Sequence, residues 1–182
     1  MPQNALLVMD VQRSIVDRFA SDTGYLPRLR DAIGTARAAG LPVIYVVVGF
    51  RPGYPEVSKR NAIFGAIAER GGFLPDDAAA EIHPDVAPAA GDIIVTKRRV
   101  SAFAGSDLDL VLRAGDIDSL TLTGIATSGV VLSTVRQAAD LDFRLTVLSD
   151  GCLDADPEVH RVLTEKVFPR QANVVTAADW RP

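Results

Sequence analysis

The chain has 182 residues, of which 48% are hydrophobic and 23% charged, and its formal charge at pH 7 is −4. This composition predicts one globular domain over residues 1–182 with a substantial core. The sequence has no Lys/Arg cluster typical of a nucleic-acid surface and no apolar run near the ~20 residues of a membrane span. It also shows no secretion signal, and its single cysteine cannot form an internal disulfide, so we expect a cytoplasmic protein.

Six short apolar runs predict six strands. In chain order they are Ala5–Asp10, Pro42–Val48, Asp92–Lys97, Ser119–Thr123, Phe143–Asp150 and Asn173–Thr176. Helical spacing or capping residues mark most of the stretches between them. Strands that alternate with helices predict a doubly wound, mostly parallel α/β sheet with helices on both faces.

The helix limits are predicted from end signals. Helices are expected over Pro27–Ala39 with Gly40 as C-cap, over Ala62–Arg70, between Ser106 and Gly115, after Gly129 through Ala138, and from Asp156 to about Val167. Ser106 and Asp109 have the spacing of a capping box. Asp156-Pro157-Glu158 combines an N-cap residue, a proline at the first helical position and an early acid.

Charged residues follow two of the predicted strands. Asp10 ends the first strand and Lys97 ends the third, while the small-residue turn GIATSG follows the fourth. Ligands of such sheets bind at the carboxyl ends of the strands. A carboxylate and an amine in one cleft stabilise each other's charged forms, so Asp10 and Lys97 are a candidate acid–base couple.

The turn GIATSG connects the fourth strand to a helix that carries Val130, Val131 and Val135 on one face. Such a turn gathers backbone N–H donors at the helix start. Its glycines do not have the spacing G-x-G-x-x-G, and they follow the fourth strand rather than the first. We therefore expect no nucleotide cofactor.

Three separated segments carry a family resemblance: LLVMDVQ near the start, EIHPDVAP in the middle, and the run from VTKRRVSAF through GIATSGVVLST to VLSDGC. Their sequence and order resemble the isochorismatase-like hydrolases, also called cysteine hydrolases. That family includes nicotinamidases, N-carbamoylsarcosine amidases and isochorismatases. The resemblance covers nearly the whole chain and implies a Rossmann-like three-layer fold, a small-molecule substrate and a homo-oligomer, either a dimer or a tetramer.

The resemblance implies roles for several residues near the predicted pocket. Asp10 matches the catalytic aspartate that accepts or donates a proton, and Lys97 matches the lysine that pairs with it. Gln12 matches a polar residue of the D-x-Q pattern, whereas Ser101 and Phe103 match a loop that forms one wall of the pocket.

The resemblance also implies a non-proline cis peptide between Ile125 and Ala126. Its expected effect is to direct the backbone N–H groups of Ala126 and Val130 at a substrate oxygen, as an oxyanion hole.

Val130 departs from the family pattern, because the amidases have their nucleophilic cysteine at that position. Valine has no nucleophilic atom, so a covalent thioester at position 130 is excluded. Isochorismatases have glycine there and hydrolyse a vinyl ether without a covalent enzyme intermediate. By this analogy Asp10 protonates the substrate and a bound water attacks it, over a pocket floor that valine makes higher and drier.

Other nucleophiles are less favoured. Thr127 and Ser128 are expected to satisfy backbone groups at the helix start, and Ser133 to face away from the site. Cys152, after the predicted fifth strand, is expected to be a small buried apolar group.

No metal is expected. The nicotinamidases hold one with a D-x-H set after the second strand, whereas the corresponding GFRPGYPEV has no histidine. His83 and His160 are far apart in sequence, and we expect both to be structural. Arg51, in a loop with Tyr54 that is expected to overhang the site, is a candidate partner for a substrate carboxylate, although a solvated loop arginine is the default.

Two functions remain open at this point. The first is a cofactor-independent hydrolase of a small soluble molecule, with Asp10 as acid or base and Lys97 as its electrostatic partner. The second is a catalytically silent member of the family that binds a small ligand or acts as an oligomeric partner. Val130 favours the second, and the Asp10–Lys97 couple favours the first.

Overall fold

A computed structural model describes residues 3–19 and 22–182. Six strands form one sheet in the order β3-β2-β1-β4-β5-β6, and all five neighbouring pairs are parallel. The strands are β1 (Gln3–Met9), β2 (Val43–Val48), β3 (Ile93–Lys97), β4 (Ile117–Ile125), β5 (Arg144–Leu153) and β6 (Asn173–Val175). The predicted fold class is therefore confirmed.

The helices pack on both faces of the sheet. They are α1 (Arg13–Val16), α2 (Tyr25–Ala38), α3 (Ala62–Arg70), α4 (Leu108–Ala114), α5 (Leu132–Asp140) and α6 (Pro157–Val162). A wide π-helical turn, Thr127–Val131, leads into α5, and another, Leu163–Val167, extends α6 before a 3-10 turn at Phe168–Arg170. Further 3-10 turns lie at Asp17–Phe19, Ala78–Ala80 and Pro84–Val86.

Alternation along β1 divides the core in two. Leu7 and Met9 belong to the hydrophobic cluster that includes residues of α4 and α5, whereas Leu6 and Val8 belong to the cluster that includes residues of α2. Successive strand residues point to opposite faces, so a continuous apolar run suits a strand covered on both sides. Within the described ranges, no helix is long and apolar enough to cross a membrane.

Most predicted helix ends are confirmed. The Asp156 side chain accepts hydrogen bonds from the backbone N–H groups of Glu158 and Val159. Gly40 has a φ of 72°, and the bonds from its N–H to the Arg37 carbonyl and from the Leu41 N–H to the Ala36 carbonyl form a Schellman motif.

The start of α2 differs from the prediction. The helix begins at Tyr25, two residues before Pro27. Proline is tolerated in the first turn because the first N–H groups of a helix have no intrahelical partner.

The predicted capping box before α4 is wrong. The N-cap is Asp107 rather than Ser106, and the Asp109 carboxylate lies 2.8 Å from the Arg113 guanidinium one turn later. That ion pair draws the Asp109 side chain forward along the helix, so it does not bond back to the N-cap. The Ser106 hydroxyl still accepts a bond from the Leu108 N–H at 3.3 Å.

Strand β5 is longer than predicted. It runs past Asp150 to Leu153, because a register shift in the β4–β5 ladder lets Cys152 and Leu153 pair with Gly124 and Ile125. Cys152 therefore lies within the strand rather than after it.

Gly124 lets β1 and β4 approach closely at their carboxyl ends. Its φ is 146°, and a Cβ at this position would lie 2.3 Å from the carbonyl oxygen of Met9, its register partner. Any other residue would clash with the β1 backbone. Asp10 and Ile125 therefore leave the sheet side by side.

Candidate active site

Asp10 and Lys97 form a buried ion pair across the sheet. Lys97 Nζ lies 2.9 Å from Asp10 Oδ2 and also donates a hydrogen bond to the Arg99 carbonyl at 2.9 Å. Because β2 separates β3 from β1, the lysine side chain extends across it toward β1. The exposed fraction of the side chain is 2% for Lys97 and 10% for Asp10.

The two carboxylate oxygens of Asp10 have different surroundings. Oδ2 faces the Lys97 ammonium, whereas Oδ1 is buried and has no hydrogen-bond partner among residues 3–19 and 22–182. Burial raises the pKa of Asp10, and the nearby charge and hydrogen bond of Lys97 oppose this only in part. One oxygen of this buried carboxyl is paired with Lys97, and the other has no partner among the described residues. Such a carboxyl is suited to exchanging a proton with a bound molecule.

The backbone of Asp10 is also fixed. The residue has a φ of 57°, in the left-handed region that aspartate adopts more readily than most residues. Its N–H donates to the Val46 carbonyl at 2.8 Å. The turn directly after β1 therefore sets the direction of the carboxylate.

The turn after β4 contains the cis peptide between Ile125 and Ala126, as predicted. The Ala126 carbonyl accepts bonds from the N–H groups of Gly129 and Val131, at 3.0 and 3.3 Å. Val130 is 2% exposed and belongs to the same hydrophobic cluster as Met9. The side chain at position 130 is thus a packed aliphatic group.

Gln12, the polar residue of the D-x-Q pattern, is bonded to backbone groups. Its Nε2 donates to the carbonyls of Val48 and Ala80, at 3.0 and 2.6 Å, and its Oε1 accepts from the Val48 N–H at 2.9 Å. Both amide protons are used by these bonds. The residue ties the segment after β1 to β2 and to the Ala78–Ala80 turn, and so fixes the surroundings of Asp10.

The other predicted pocket residues, Ser101, Phe103 and Arg51, contact their own neighbours. The buried Ser101 hydroxyl accepts from the Phe103 N–H at 3.3 Å, and the Phe103 ring packs 5.9 Å from that of Phe143. Arg51 is mostly exposed, and its guanidinium pairs with Glu56 at 3.3 Å rather than reaching the Asp10 carboxylate.

Sequence reasoning missed a link between the loops after β2 and β3. Glu56 Oε1 accepts from Arg98 Nε at 3.0 Å, and the Glu56 carbonyl accepts from the Arg99 guanidinium at 2.7 Å. The Arg99 guanidinium also lies over the Phe64 ring, 5.7 Å from its centroid. Arginines after a strand give no sequence signal for such partners, because the partners are set by loop conformation.

A cleft of about 330 Å³ lies near the carboxyl ends of β2 and β3, and neither Asp10 nor Lys97 lines it. Its lining includes Gln12, Phe50, Phe73, Thr96 and Arg98. Thr96 and Lys97 are consecutive residues of β3, so their side chains point to opposite faces of the sheet. The cleft is therefore separated from the Lys97 ammonium by the strand itself.

The remaining nucleophile and metal candidates have structural surroundings. Cys152 is 3% exposed, and burial raises its pKa to about 12, so the thiolate is not available near neutral pH. His83 Nδ1 accepts from the Asp85 N–H at 3.2 Å in a 3-10 turn. In the part of the chain that the structure describes, no three His, Cys, Asp or Glu side chains are grouped to hold a metal ion.

The expectation for Thr127 is wrong. Its hydroxyl does not cap the helix; it lies 2.8 Å from Nδ1 of His160 on α6. The backbone N–H of the next residue, Ser128, donates to Asp154 Oδ2 at 2.7 Å. Local sequence gives no signal for these contacts, because they depend on how α6 packs against the turn after β4.

The fold and the buried pair define an α/β protein with a candidate acid–base site at the carboxyl edge of its sheet. Residues 4–179 match the family model of the isochorismatase domain, so the chain belongs to the isochorismatase family of hydrolases. The predicted family resemblance is confirmed.

The relatives agree with this assignment. The ureidoacrylate amidohydrolase RutB of Stutzerimonas stutzeri is 34% identical over 212 aligned positions, covering 98% of this chain and 78% of the relative. The uncharacterised isochorismatase family protein YecD of Escherichia coli O157:H7 is 35% identical over 175 positions, covering 93% and 90%. The N-carbamoylsarcosine amidase structure from Thermoplasma acidophilum superimposes with a TM-score of 0.80 at 27% identity, covering 99% of each chain.

Proposed function

We propose that this chain hydrolyses a small soluble molecule by direct attack of water, assisted by Asp10 and without a covalent enzyme intermediate. The observation that carries the proposal is the buried Asp10 carboxyl, with Oδ2 on Lys97 and Oδ1 without a partner among the described residues. A buried polar atom without a hydrogen-bond partner destabilises the protein, so binding of a molecule that hydrogen-bonds to this oxygen is favoured. Val130 is the reason for excluding a covalent step at the family's nucleophile position.

A vinyl ether is one substrate class that this site suits. Asp10 in its protonated form adds its proton to the terminal alkene carbon, and water attacks the adjacent oxygen-bearing carbon. The water returns one proton to Asp10. The hemiketal then breaks its C–O bond while its hydroxyl proton passes to the leaving oxygen, which releases an alcohol and a ketone. The raised pKa of Asp10 supports this step, because it increases the fraction of protonated acid.

An amide is the other class. Water attacks the carbonyl carbon while Asp10 in its ionised form takes a proton from that water, and the N–H groups of Ala126 and Val130 stabilise the oxyanion. The C–N bond then breaks, and Asp10 gives the proton to the leaving nitrogen. Lys97 holds Asp10 in place through both protonation changes.

The names of two similar proteins guide the choice of amides. One is a ureidoacrylate amidohydrolase and the other an N-carbamoylsarcosine amidase, so ureido compounds belong in the assay. The alignment with the first spans 212 positions, more than the 182 residues of this chain, so it contains positions that this chain lacks. We therefore leave the substrate at the level of a small amide or vinyl ether.

A catalytically silent protein is the second candidate, and the packed side chain of Val130 favours it. In that case the site binds a small ligand without turnover, or the chain acts as an oligomeric partner. For either candidate we propose a homo-oligomer, as the family resemblance implies. We also propose that it is cytoplasmic and needs no cofactor or metal. Light scattering on the purified protein measures the oligomeric state.

The test is a panel of vinyl ethers, simple amides and ureido compounds, assayed with the unmodified protein and with Asp10→Asn. We expect turnover that falls by about 10²- to 10⁴-fold in Asp10→Asn, because the acid–base group is lost. Asp142→Asn is the matched control: Asp142 is an exposed aspartate with a similar φ of 65° and lies outside the site.

Intact mass spectrometry during turnover adds a second measurement. Direct water attack predicts that the enzyme keeps its unmodified mass throughout. A substrate adduct on the protein would contradict the non-covalent step. Absence of turnover on every compound, with binding of one of them, would leave the silent candidate.

A further inference from the structure

The turn between Ile125 and α5 is hydrogen-bonded to residues of the segment that connects β5 to α6 and of α6 itself. Thr127 is fully buried, and its Oγ1 lies 2.8 Å from Nδ1 of His160 on α6. The N–H of Ser128 donates to Asp154 Oδ2 at 2.7 Å, and Asp154 follows the end of β5. Two successive residues of the turn are thus anchored to the β5–α6 segment.

The anchored residues lie between the two proposed oxyanion donors. Thr127 follows Ala126, whose peptide with Ile125 is cis, and precedes Val130 by three positions. The Ala126 carbonyl is already bonded inside the turn, to the N–H groups of Gly129 and Val131. A shift of Thr127 would therefore move the whole turn, including the N–H groups of Ala126 and Val130.

The chemistry of the contact suits a neutral imidazole. Burial lowers the pKa of His160, and the nearby Asp154 carboxylate opposes this only in part, so the neutral form of the ring is favoured. A neutral ring has one nitrogen that accepts and one that donates. With its proton on Nε2, the ring accepts the Thr127 hydroxyl proton at Nδ1.

We propose that His160 is a positioning residue that sets the oxyanion donors of Ala126 and Val130 by holding Thr127; this inference rests on the proposed function. A hydroxyl 2.8 Å from an imidazole nitrogen also has the spacing of a nucleophile and its base. Thr127 has no exposed surface, however, whereas the Asp10 side chain keeps 10% of its surface exposed, and a nucleophile must touch its substrate. The contact therefore acts on the backbone and not on the reacting carbon.

The experiment separates the hydroxyl and the ring from simple loss of packing. Thr127→Val removes the hydroxyl and keeps the shape, whereas Thr127→Ser keeps the hydroxyl. His160→Leu removes the acceptor, whereas His160→Asn places an amide near the position of Nδ1. His83→Asn is the matched control, since His83 is the only other histidine of the chain and its Nδ1 also accepts a bond, from the backbone of Asp85.

We expect Thr127→Val and His160→Leu each to lower kcat about 10- to 100-fold on the substrate found in the panel, because displaced donors stabilise the transition state poorly. KM should change little, and combining the two substitutions should add little to either. Thr127→Ser and His160→Asn should restore most of kcat, and His83→Asn should leave it unchanged. Circular dichroism and thermal unfolding confirm that each variant is folded before it is assayed.

Backbone amide NMR gives a reading that does not depend on turnover. The amide shifts and hydrogen-exchange rates of Ala126 and Val130 should change in Thr127→Val and His160→Leu, and should stay close to those of the unmodified protein in the other three variants. If these amides do not move, or if kcat falls equally in the rescue variants, the positioning role is wrong. If the amides move but the unmodified protein hydrolyses nothing, the positioning of the turn stands and the hydrolase proposal fails.

Discussion

The Asp10–Lys97 pair and the Thr127–His160 contact lie at the same edge of the sheet, but different parts of the fold create them. Asp10 and Lys97 follow or end parallel strands, so the strand order alone brings them to one edge. Thr127 and His160 belong to a turn and a helix, so only the packing of α6 brings them together. The first region supplies charge, and the second fixes the backbone beside it.

The two regions also differ in how much stability the protein should lose when their contacts are broken. Breaking a buried ion pair leaves an uncompensated charge and costs about 3–5 kcal/mol. Breaking a neutral hydrogen bond costs about 1–3 kcal/mol when a buried partner is left unsatisfied. Substitutions in the pair should therefore cost more stability than those at the turn.

The largest stability effect is expected from Lys97→Met. The substitution removes the ammonium that faces the buried Asp10 carboxylate, so the free energy of unfolding at pH 7 should fall by about 3–5 kcal/mol. Urea unfolding followed by circular dichroism measures this loss. The double variant Asp10→Asn/Lys97→Met should be more stable than Lys97→Met alone, because it buries no unpaired charge. A single variant as stable as the unmodified protein would show that the pair is not buried.

The pH dependence of stability tests the same pair from the carboxylate side. Because folding raises the pKa of Asp10 above its usual value of 3.8, the folded state binds the Asp10 proton more tightly than the unfolded state does. Its contribution to stability is thus fully present below pH 3.8 and is lost as the pH rises through the raised value. Urea midpoints of the unmodified protein and Asp10→Asn are measured between pH 3.5 and 7. As the pH rises, the midpoint of the unmodified protein should fall relative to that of Asp10→Asn. A difference between the two midpoints that is constant with pH would contradict the raised pKa.

Gly124→Ala tests the close approach of β1 and β4, on which both regions depend. The new Cβ would lie 2.3 Å from the Met9 carbonyl oxygen at a φ of 146°, so we expect a loss of roughly 2–4 kcal/mol by urea unfolding. Gly34→Ala is the matched control. Gly34 is exposed within α2 and has no neighbour within 4 Å of an added Cβ, so this change should stabilise the protein by roughly 0.5–1 kcal/mol.

The same comparison explains what the sequence alone predicts. The apolar runs determine the strands, and the parallel topology then places Asp10 and Lys97 at one edge. The sequence was therefore enough to predict that these two residues form a pair. The roles of Gln12 and Thr127 were not predictable, because each side chain bonds to a group more than 30 residues away on another element, β2 for Gln12 and α6 for Thr127. Local propensity likewise placed Ser106 and Asp109 in a capping box, while an ion pair with Arg113 drew Asp109 away.

The smallest effect is expected at Cys152, which belongs to neither region. Its register partner is Gly124, and its thiol lies 3.9 Å from the Leu122 carbonyl oxygen, inside the sheet. Cys152→Ala removes one buried sulfur and should cost only about 1 kcal/mol, with kcat and KM unchanged.

Alkylation sharpens this last prediction. Burial raises the pKa of Cys152 to about 12, so at pH 8 almost none of the thiol is in the reactive thiolate form. Iodoacetamide should therefore leave the native protein unlabelled and fully active, while labelling the urea-unfolded chain at its single cysteine. Loss of turnover on labelling of the native protein would instead place the nucleophile at Cys152. Neither the Asp10–Lys97 pair nor the turn held by His160 would then account for the chemistry.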